Sequence, residues 1–157
     1  MKDSVYLDTT IFSYLFEKRE SIKTYADVTR EWWEFQRRKY NLYISIETLA
    51  ELQEGNYPYK EEAERLAETI ELLPRIKEIE EIAEIYVKNF VMPKDLEGDA
   101  IHLAYASVYK IDFLLTWNCR HLANANKRRH VRQINTKLGL FIPEIITPLE
   151  LFEEEQQ

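Results

Sequence analysis

Among the 28 acidic residues of this chain, three carboxylates stand where the pattern changes rather than on a solvated run. Asp8 follows the apolar stretch Val5–Leu7 and precedes Thr9, Thr10 and Ile11. Glu51 lies one turn after Glu47 in the most apolar short helical stretch, beside Ile46, Leu49, Ala50 and Leu52. Asp99 follows Gly98 at the opening of a predicted helix. Three carboxylates brought together from separate segments make a strongly negative pocket. Like charges at close range cannot all stay ionised without a counter-charge. A hard divalent cation supplies one, and oxygen donors of this kind suit Mg2+ or Mn2+, which bind through a few carboxylates plus a phosphate.

Each acid has a second, structural role open to it. Asp8 as an N-cap accepts a backbone N–H of the next helix, worth about 1 kcal/mol, and Thr9 or Thr10 can do that equally well. Glu47 and Glu51 can both face solvent on an ordinary amphipathic helix. Asp99 can be a cap or a first-turn acid favoured by the helix dipole. His102, three residues after Asp99, can share its face, but a lone helical histidine is more often a packing or hydrogen-bonding residue than a ligand. Other site chemistries lack their residues. There is no cysteine–histidine cluster with zinc spacing, no glycine-rich phosphate loop and no G-x-S-x-G elbow. An aspartyl-phosphate phosphatase of the haloacid-dehalogenase type wants a second aspartate two residues after Asp8, where Thr10 stands.

The formal net charge is −7, which argues against a protein that coats nucleic acid over its whole surface. The charge is nevertheless sorted. Between Asp112 and Glu144 no acidic residue occurs, while Arg120, Lys127, Arg128, Arg129, Arg132 and Lys137 do, with His121 and His130 beside them. Such a basic sector can steer a polyanion toward the acids. The alternative is a solvated helix face clustered by chance.

The elements that must position these groups alternate. Strands are expected at 4–8, 42–45, 71–74, 111–117 and 143–148. Helices are expected at 10–17, 22–39, 46–55, 58–70 (with Pro58 in its first turn), 76–90, 96–110, 121–139 and 149–155. Gly55, Gly98 and Gly139 fall at pattern changes and read as turns or helix boundaries. Alternating strands and helices predict an α/β three-layer sandwich, with a central, mostly parallel sheet of four to five strands. In such folds ligands lie beyond the carboxyl ends of the strands. Asp8 and Asn118 both fall there, one after the first strand and one after the fourth. The 157 residues suit one domain, 1–157. A single cysteine, Cys119, leaves no internal disulfide and fits a reducing cytoplasm. The N-terminus does not look like a signal peptide, and no apolar run approaches the ~18–20 residues of a membrane span, so no membrane partner is expected.

The stretches VYLDTTIF, ISIETLAELQEG and GDAIHLAYASVYKIDFLLTWN occur in the order and spacing of the PIN-domain ribonucleases, and the match is closest to VapC-type toxins. REWWE and LLTWNCRHLANA resemble a subgroup with asparagine after the fourth strand. The resemblance runs from about Val5 to Phe152. It implies a Rossmann-like sandwich, a Mg2+ or Mn2+ cofactor and hydrolysis of RNA phosphodiester bonds. It further implies a cognate antitoxin of a type II pair and a homodimer. Carried over by position, the metal ligands are Asp8, Glu51 and Asp99, and the catalytic set adds Asn118. Many relatives carry an acid at that last position. Asparagine lacks the charge, which makes a second metal less expected and keeps open a PIN-like binding module without catalysis. Arg120, Lys127, Arg128 and Arg129 are the expected RNA-backbone contacts, and Trp117 is either a base-stacking or a core residue.

Overall fold

Burial with a period of two builds the centre of the molecule. In the first strand, β1 (Asp3–Leu7), Val5 and Leu7 join one apolar cluster while Tyr6 joins another on the opposite face. A strand buried on both faces belongs in the middle of a sheet. The computed structural model describes residues 1–89, 91 and 97–154, and β1 lies at its centre. It pairs in parallel with β2 (Tyr40–Ile44) on one side and β4 (Phe113–Leu115) on the other. Outside these lie β3 (Glu71–Leu72) and β5 (Glu144–Ile146), giving the order β3-β2-β1-β4-β5 with every pairing parallel. The predicted sheet is therefore present, with five strands.

The helices α1 (Thr9–Phe16), α2 (Lys23–Phe35), α3 (Ile46–Gln53) and α4 (Lys60–Glu68) follow the first two strands. Ile11, Phe12, Trp32, Leu52 and Ala63 pack with Val5, Leu7 and Ile44 on one face of the sheet. On the other face lie α5 (Lys77–Lys88), α6 (Glu97–Val108) and α7 (Ala125–Leu138). Ile79, Tyr86, Leu103 and Val131 from these helices pack with Tyr6, Leu114 and Ile145. Three layers result. The chain moves outward from β1 through β2 and β3, then returns to the opposite side of β1 as β4. The strand order thus reverses between β1 and β4, which is where a crevice opens in parallel α/β sheets.

Several boundaries differ from expectation for identifiable reasons. The second helix stops at Phe35, and a 3-10 turn, Arg37–Lys39, leads into β2. Pro58 precedes α4 rather than entering its first turn. α7 begins at Ala125, not 121, because the Asn124 side chain accepts the Lys127 N–H at 2.9 Å and sets the cap there. It ends at Gly139, whose φ of 67° is the left-handed conformation glycine adopts without a Cβ penalty. The helix expected at 149–155 is absent through 154. Its place is taken by a 3-10 turn, Pro148–Glu150, closed by a Thr147–Glu150 capping box. Beyond it the Leu151 carbonyl accepts the Trp32 indole N–H at 2.9 Å, which holds the segment against α2. Phe90, Leu96 and Glu155, the ends of three expected helices, lie outside the described residues.

Candidate active site

Asp8 is the residue on which the reversal point converges. It occupies the N-cap position of α1, yet its side chain makes no capping bond. Its backbone N–H instead continues the sheet by donating to the Leu115 carbonyl at 3.1 Å. The carboxylate is 3% exposed. Its Oδ2 accepts two hydroxyls, from Thr10 at 2.8 Å and from Thr116 at 2.6 Å. Thr10 Oγ1 in turn accepts the Trp117 N–H, and Thr116 Oγ1 accepts the Asn118 N–H. The first turn of α1 and the residue after β4 therefore clamp one carboxylate oxygen, and Oδ1 is left facing the ring of His102, 3.7 Å away.

Glu51 reaches the same place from α3. That helix is entered through a Ser45–Thr48 capping box, which fixes where its second turn lies. Glu51 Oε2 accepts the Thr9 hydroxyl at 2.5 Å, and Oε1 lies 2.9 Å from His102 Nε2. Burial pushes its pKa up, but the bond to His102, that ring's charge and the Thr9 hydroxyl outweigh it, leaving the group below the usual carboxylate range. Glu47, one turn earlier, is committed elsewhere, accepting from Arg75, which also bridges to Glu80. Gly98, in the first turn of α6, lies against Glu51. A Cβ there would sit 2.6 Å from Glu51 Oε1, so any larger residue must displace that carboxylate from its present position.

Asp99 also lies in the first turn of α6. Its Oδ2 accepts the Asn118 amide at 2.9 Å. Asn118 Oδ1 meanwhile accepts the His121 N–H at 3.0 Å, so this side chain shapes its own loop while orienting the acid. Burial first, then the charges of Asp8 and Glu51, raise the Asp99 pKa to about 7, against the opposing influence of His102 and Asn118.

The liganding atoms of Asp8, Glu51 and His102 lie within 4.8 Å of one another, and Asp99 does not join that group among the described residues. The sequence expectation of Asp8, Glu51 and Asp99 thus meets a different tight cluster, with Asp99 electrostatically coupled to it. In the sequence His102 carries little signal, because a single histidine on a helix more often packs or hydrogen-bonds than binds a metal. The available clue was its setting: α6 places Leu103, Ala104, Tyr105 and Ala106 in full burial around it. A histidine on so buried a helix must find polar partners. Burial pushes the ring's pKa down, but the Glu51 bond and the charges of Asp8, Glu51 and Asp99 more than offset it, raising it to about 9.

Among the expected RNA contacts, Arg120 and Arg129 are exposed. Lys127 donates to the Val91 carbonyl, and burial lowers its pKa. Arg128 donates to the Ile145 carbonyl at 3.2 Å. Trp117 is 9% exposed, with its indole N–H donating to Thr29 and its ring against Tyr14 and Tyr25, so it is a core residue. A cavity of about 900 Å³ lies elsewhere, lined by Leu15, Phe16, Glu17, Arg30, Tyr57 and Tyr59 among others. It contains none of the clustered acids.

A five-stranded parallel sheet with carboxylates gathered beyond the ends of β1 and β4 defines an α/β sandwich with a candidate cation site. The chain belongs to the PIN domain family, whose model matches residues 5–128. Its fold is similar to that of a toxin–antitoxin complex from Klebsiella pneumoniae, with a TM-score of 0.60 and 20% identity over 92% of this chain and 98% of that one. VapBC2 from Rickettsia felis, bound to a DNA fragment from its promoter, gives 0.57 and 16% over 91% and 97%. FitAcB from Neisseria gonorrhoeae gives 0.55 and 15% over 94% and 99%. No curated protein matches significantly.

Proposed function

We propose that this PIN domain, residues 1–157 as one unit, is a divalent-metal-dependent endoribonuclease and the toxin of a type II toxin–antitoxin pair. The observation carrying the reading is the convergence of Asp8 and Glu51 from separate elements, each with one carboxylate oxygen fixed by a threonine hydroxyl. The residues fit a cation. They are hard oxygen donors, and no hydrogen bond reaches Asp8 Oδ1 among the described residues. They also include carboxylates that raise one another's proton affinity, which a positive charge would relieve. Asp8, Glu51 and Asp99 would hold Mg2+ or Mn2+. When bound, such a cation supplies Lewis acidity to the scissile phosphate and to water. Glu51 or Asp99 would orient that water or take its proton, Asn118 holds Asp99 in place, and Arg120 and Arg129 offer exposed cations to the RNA backbone. Lys127 and Arg128 add positive potential while bracing α7.

The toxin assignment draws on the similar structures, one of which is named a toxin–antitoxin complex. A cognate antitoxin, a homodimer and a cytoplasmic location follow as parts of the same proposal. No helix among the described residues is long and apolar enough to cross a membrane. The test is RNA cleavage by purified protein in Mg2+ or Mn2+, with Asp8→Asn and Asp99→Asn as controls. Undiminished cleavage by both variants overturns the site. A second reading, an RNA-binding module without catalysis, is favoured by one observation: the fourth polar position is Asn118, whose amide is already given to Asp99. RNA binding that survives EDTA, with no cleavage in any divalent ion, would select it.

A further inference from the structure

We propose that His102 is a positioning residue that holds Glu51 ready for the cation and is not itself a ligand. The inference rests on the reading of Asp8, Glu51 and Asp99 as the metal-binding acids. Proximity alone would make His102 a ligand, since its ring nitrogen completes the tight cluster with Asp8 and Glu51. Hydrogen bonding argues otherwise. The ring is 1% exposed, and both nitrogens are engaged. Nε2 lies 2.9 Å from Glu51 Oε1, and Nδ1 lies 2.5 Å from the Tyr6 hydroxyl. An ionised carboxylate only accepts, so the proton in the Glu51 contact sits on Nε2. A protonated imidazole nitrogen has no lone pair to give a metal. The Asp8 carboxylate, at 3.7 Å from Nε2, is beyond hydrogen-bond reach and does not compete for that proton.

The ring is itself anchored. Beyond Nδ1, the Tyr6 hydroxyl lies 2.6 Å from Ser45 Oγ, the residue that opens α3. One chain of contacts thus runs from the α3 cap through β1 and α6 and back to Glu51 on the next turn of α3. Glu51 needs such a brace. Its side chain is 31% exposed, the most open member of the cluster, and the rotamer freedom of a glutamate otherwise competes with a single ligand geometry. His102 on Oε1 and Thr9 on Oε2 fix both oxygens while leaving each with a further lone pair for the cation.

Mn2+ binding followed by electron paramagnetic resonance tests the proposal without reference to activity. The wild type is expected to bind Mn2+ with no directly coordinated 14N in its electron spin-echo modulation. His102→Leu is expected to weaken Mn2+ binding about 10–100-fold, the usual cost of losing an outer-shell partner. His102→Gln, whose amide N–H can stand in for Nε2–H, should recover most of that loss. Tyr6→Phe keeps the core volume and removes only the ring's anchor, so it provides a folded variant if His102→Leu does not fold, and it too should weaken binding. A coordinated 14N in the wild type overturns the proposal while leaving the acidic site standing. Unchanged Mn2+ affinity in Tyr6→Phe and His102→Leu overturns it as well. Failure of the wild type to bind Mn2+ at all removes both the acidic site and this inference.

Discussion

The Asn118 amide donates to Asp99 at 2.9 Å across the gap between the β4 loop and α6. At this point the chain presents a hydrogen-bond donor, not a further carboxylate, to the acid. Asn118→Asp would remove the donor and add a carboxylate beside an acid already raised to about 7. The expected result is a lower melting temperature in EDTA, by an amount corresponding to about 1–3 kcal/mol, with part of the loss recovered by excess Mn2+. Differential scanning calorimetry with and without Mn2+ checks it. Isothermal titration is expected to show one Mn2+ per wild-type chain and tighter or additional binding in the variant.

Neutralising the acids should separate activity from stability. Asp99→Asn removes a buried carboxylate whose ionisation is disfavoured, so at pH 8 in EDTA the variant should melt at or above the wild-type temperature. Its RNA cleavage should fall by about 10²–10⁴-fold, the range for loss of a proton-transfer group. A variant that loses stability and activity together would point to a structural role for Asp99.

Gly98→Ala probes the close approach to Glu51. Alanine favours a helix over glycine by about 1 kcal/mol, yet its Cβ would meet Glu51 Oε1 at 2.6 Å. The carboxylate is the end of a flexible side chain and can move, so the fold should keep its melting temperature within a few degrees. Moving it breaks the bond to His102, and Mn2+ affinity should drop at least tenfold. Wild-type affinity in the alanine variant would show that the Glu51 position tolerates displacement.

The metal-free protein should lose stability as pH rises. Asp99 is an acid whose folded pKa, about 7, stands above its ordinary 3.8. Between those values the folded state binds more protons than the unfolded state, so stability falls with pH across that window. His102 is a base raised from 6.5 to about 9. Its contribution is complete below 6.5 and is lost as pH climbs through 9. Glu51 has the opposite sign but acts below its ordinary 4.5. Melting temperatures in EDTA should therefore decline from about pH 5 to pH 9, and the upper part of that decline should flatten in His102→Gln.

The basic sector divides into two groups. Arg120 and Arg129 are exposed, and Arg120→Ala with Arg129→Ala should weaken RNA binding and lower the salt slope by about 0.7 per lost phosphate contact, with no change in melting temperature. Lys127→Ala removes the donor to the Val91 carbonyl and should cost about 1 kcal/mol of stability. Fluorescence anisotropy across a salt series, paired with thermal melts, distinguishes the two.

The layered fold is legible in the sequence because its signal is local. Val5, Tyr6 and Leu7 declare a strand buried on both faces, and Ile79, Ile82 and Tyr86 declare one face of a helix. The terminal helix expected in LELFEEE fails because a distant contact, the Trp32 indole on the Leu151 carbonyl, overrides local propensity. The candidate site is less legible for the same reason. Asp8 stands at a helix cap position, so sequence alone leaves capping and ligation equally open. Only the threonine contacts show that its side chain does not cap. The partners of His102 lie 51 and 96 residues away, separations that no periodicity encodes.

The bond from Thr116 to Asp8 joins residues 108 apart, and β1 is sealed on that side only by β4. During synthesis the central strand leaves the ribosome long before its neighbour exists. Until Thr116 and Asn118 emerge, Asp8 has only the Thr10 half of its clamp and Asp99 has no orienting amide. A nascent chain therefore carries the acids without a working arrangement of them. The long-range pairing that slows folding also delays the onset of any nuclease activity until most of the polypeptide has been made. Ribosome-bound chains arrested before Thr116 clears the exit tunnel should fail to bind Mn2+, whereas released full-length chains should bind it.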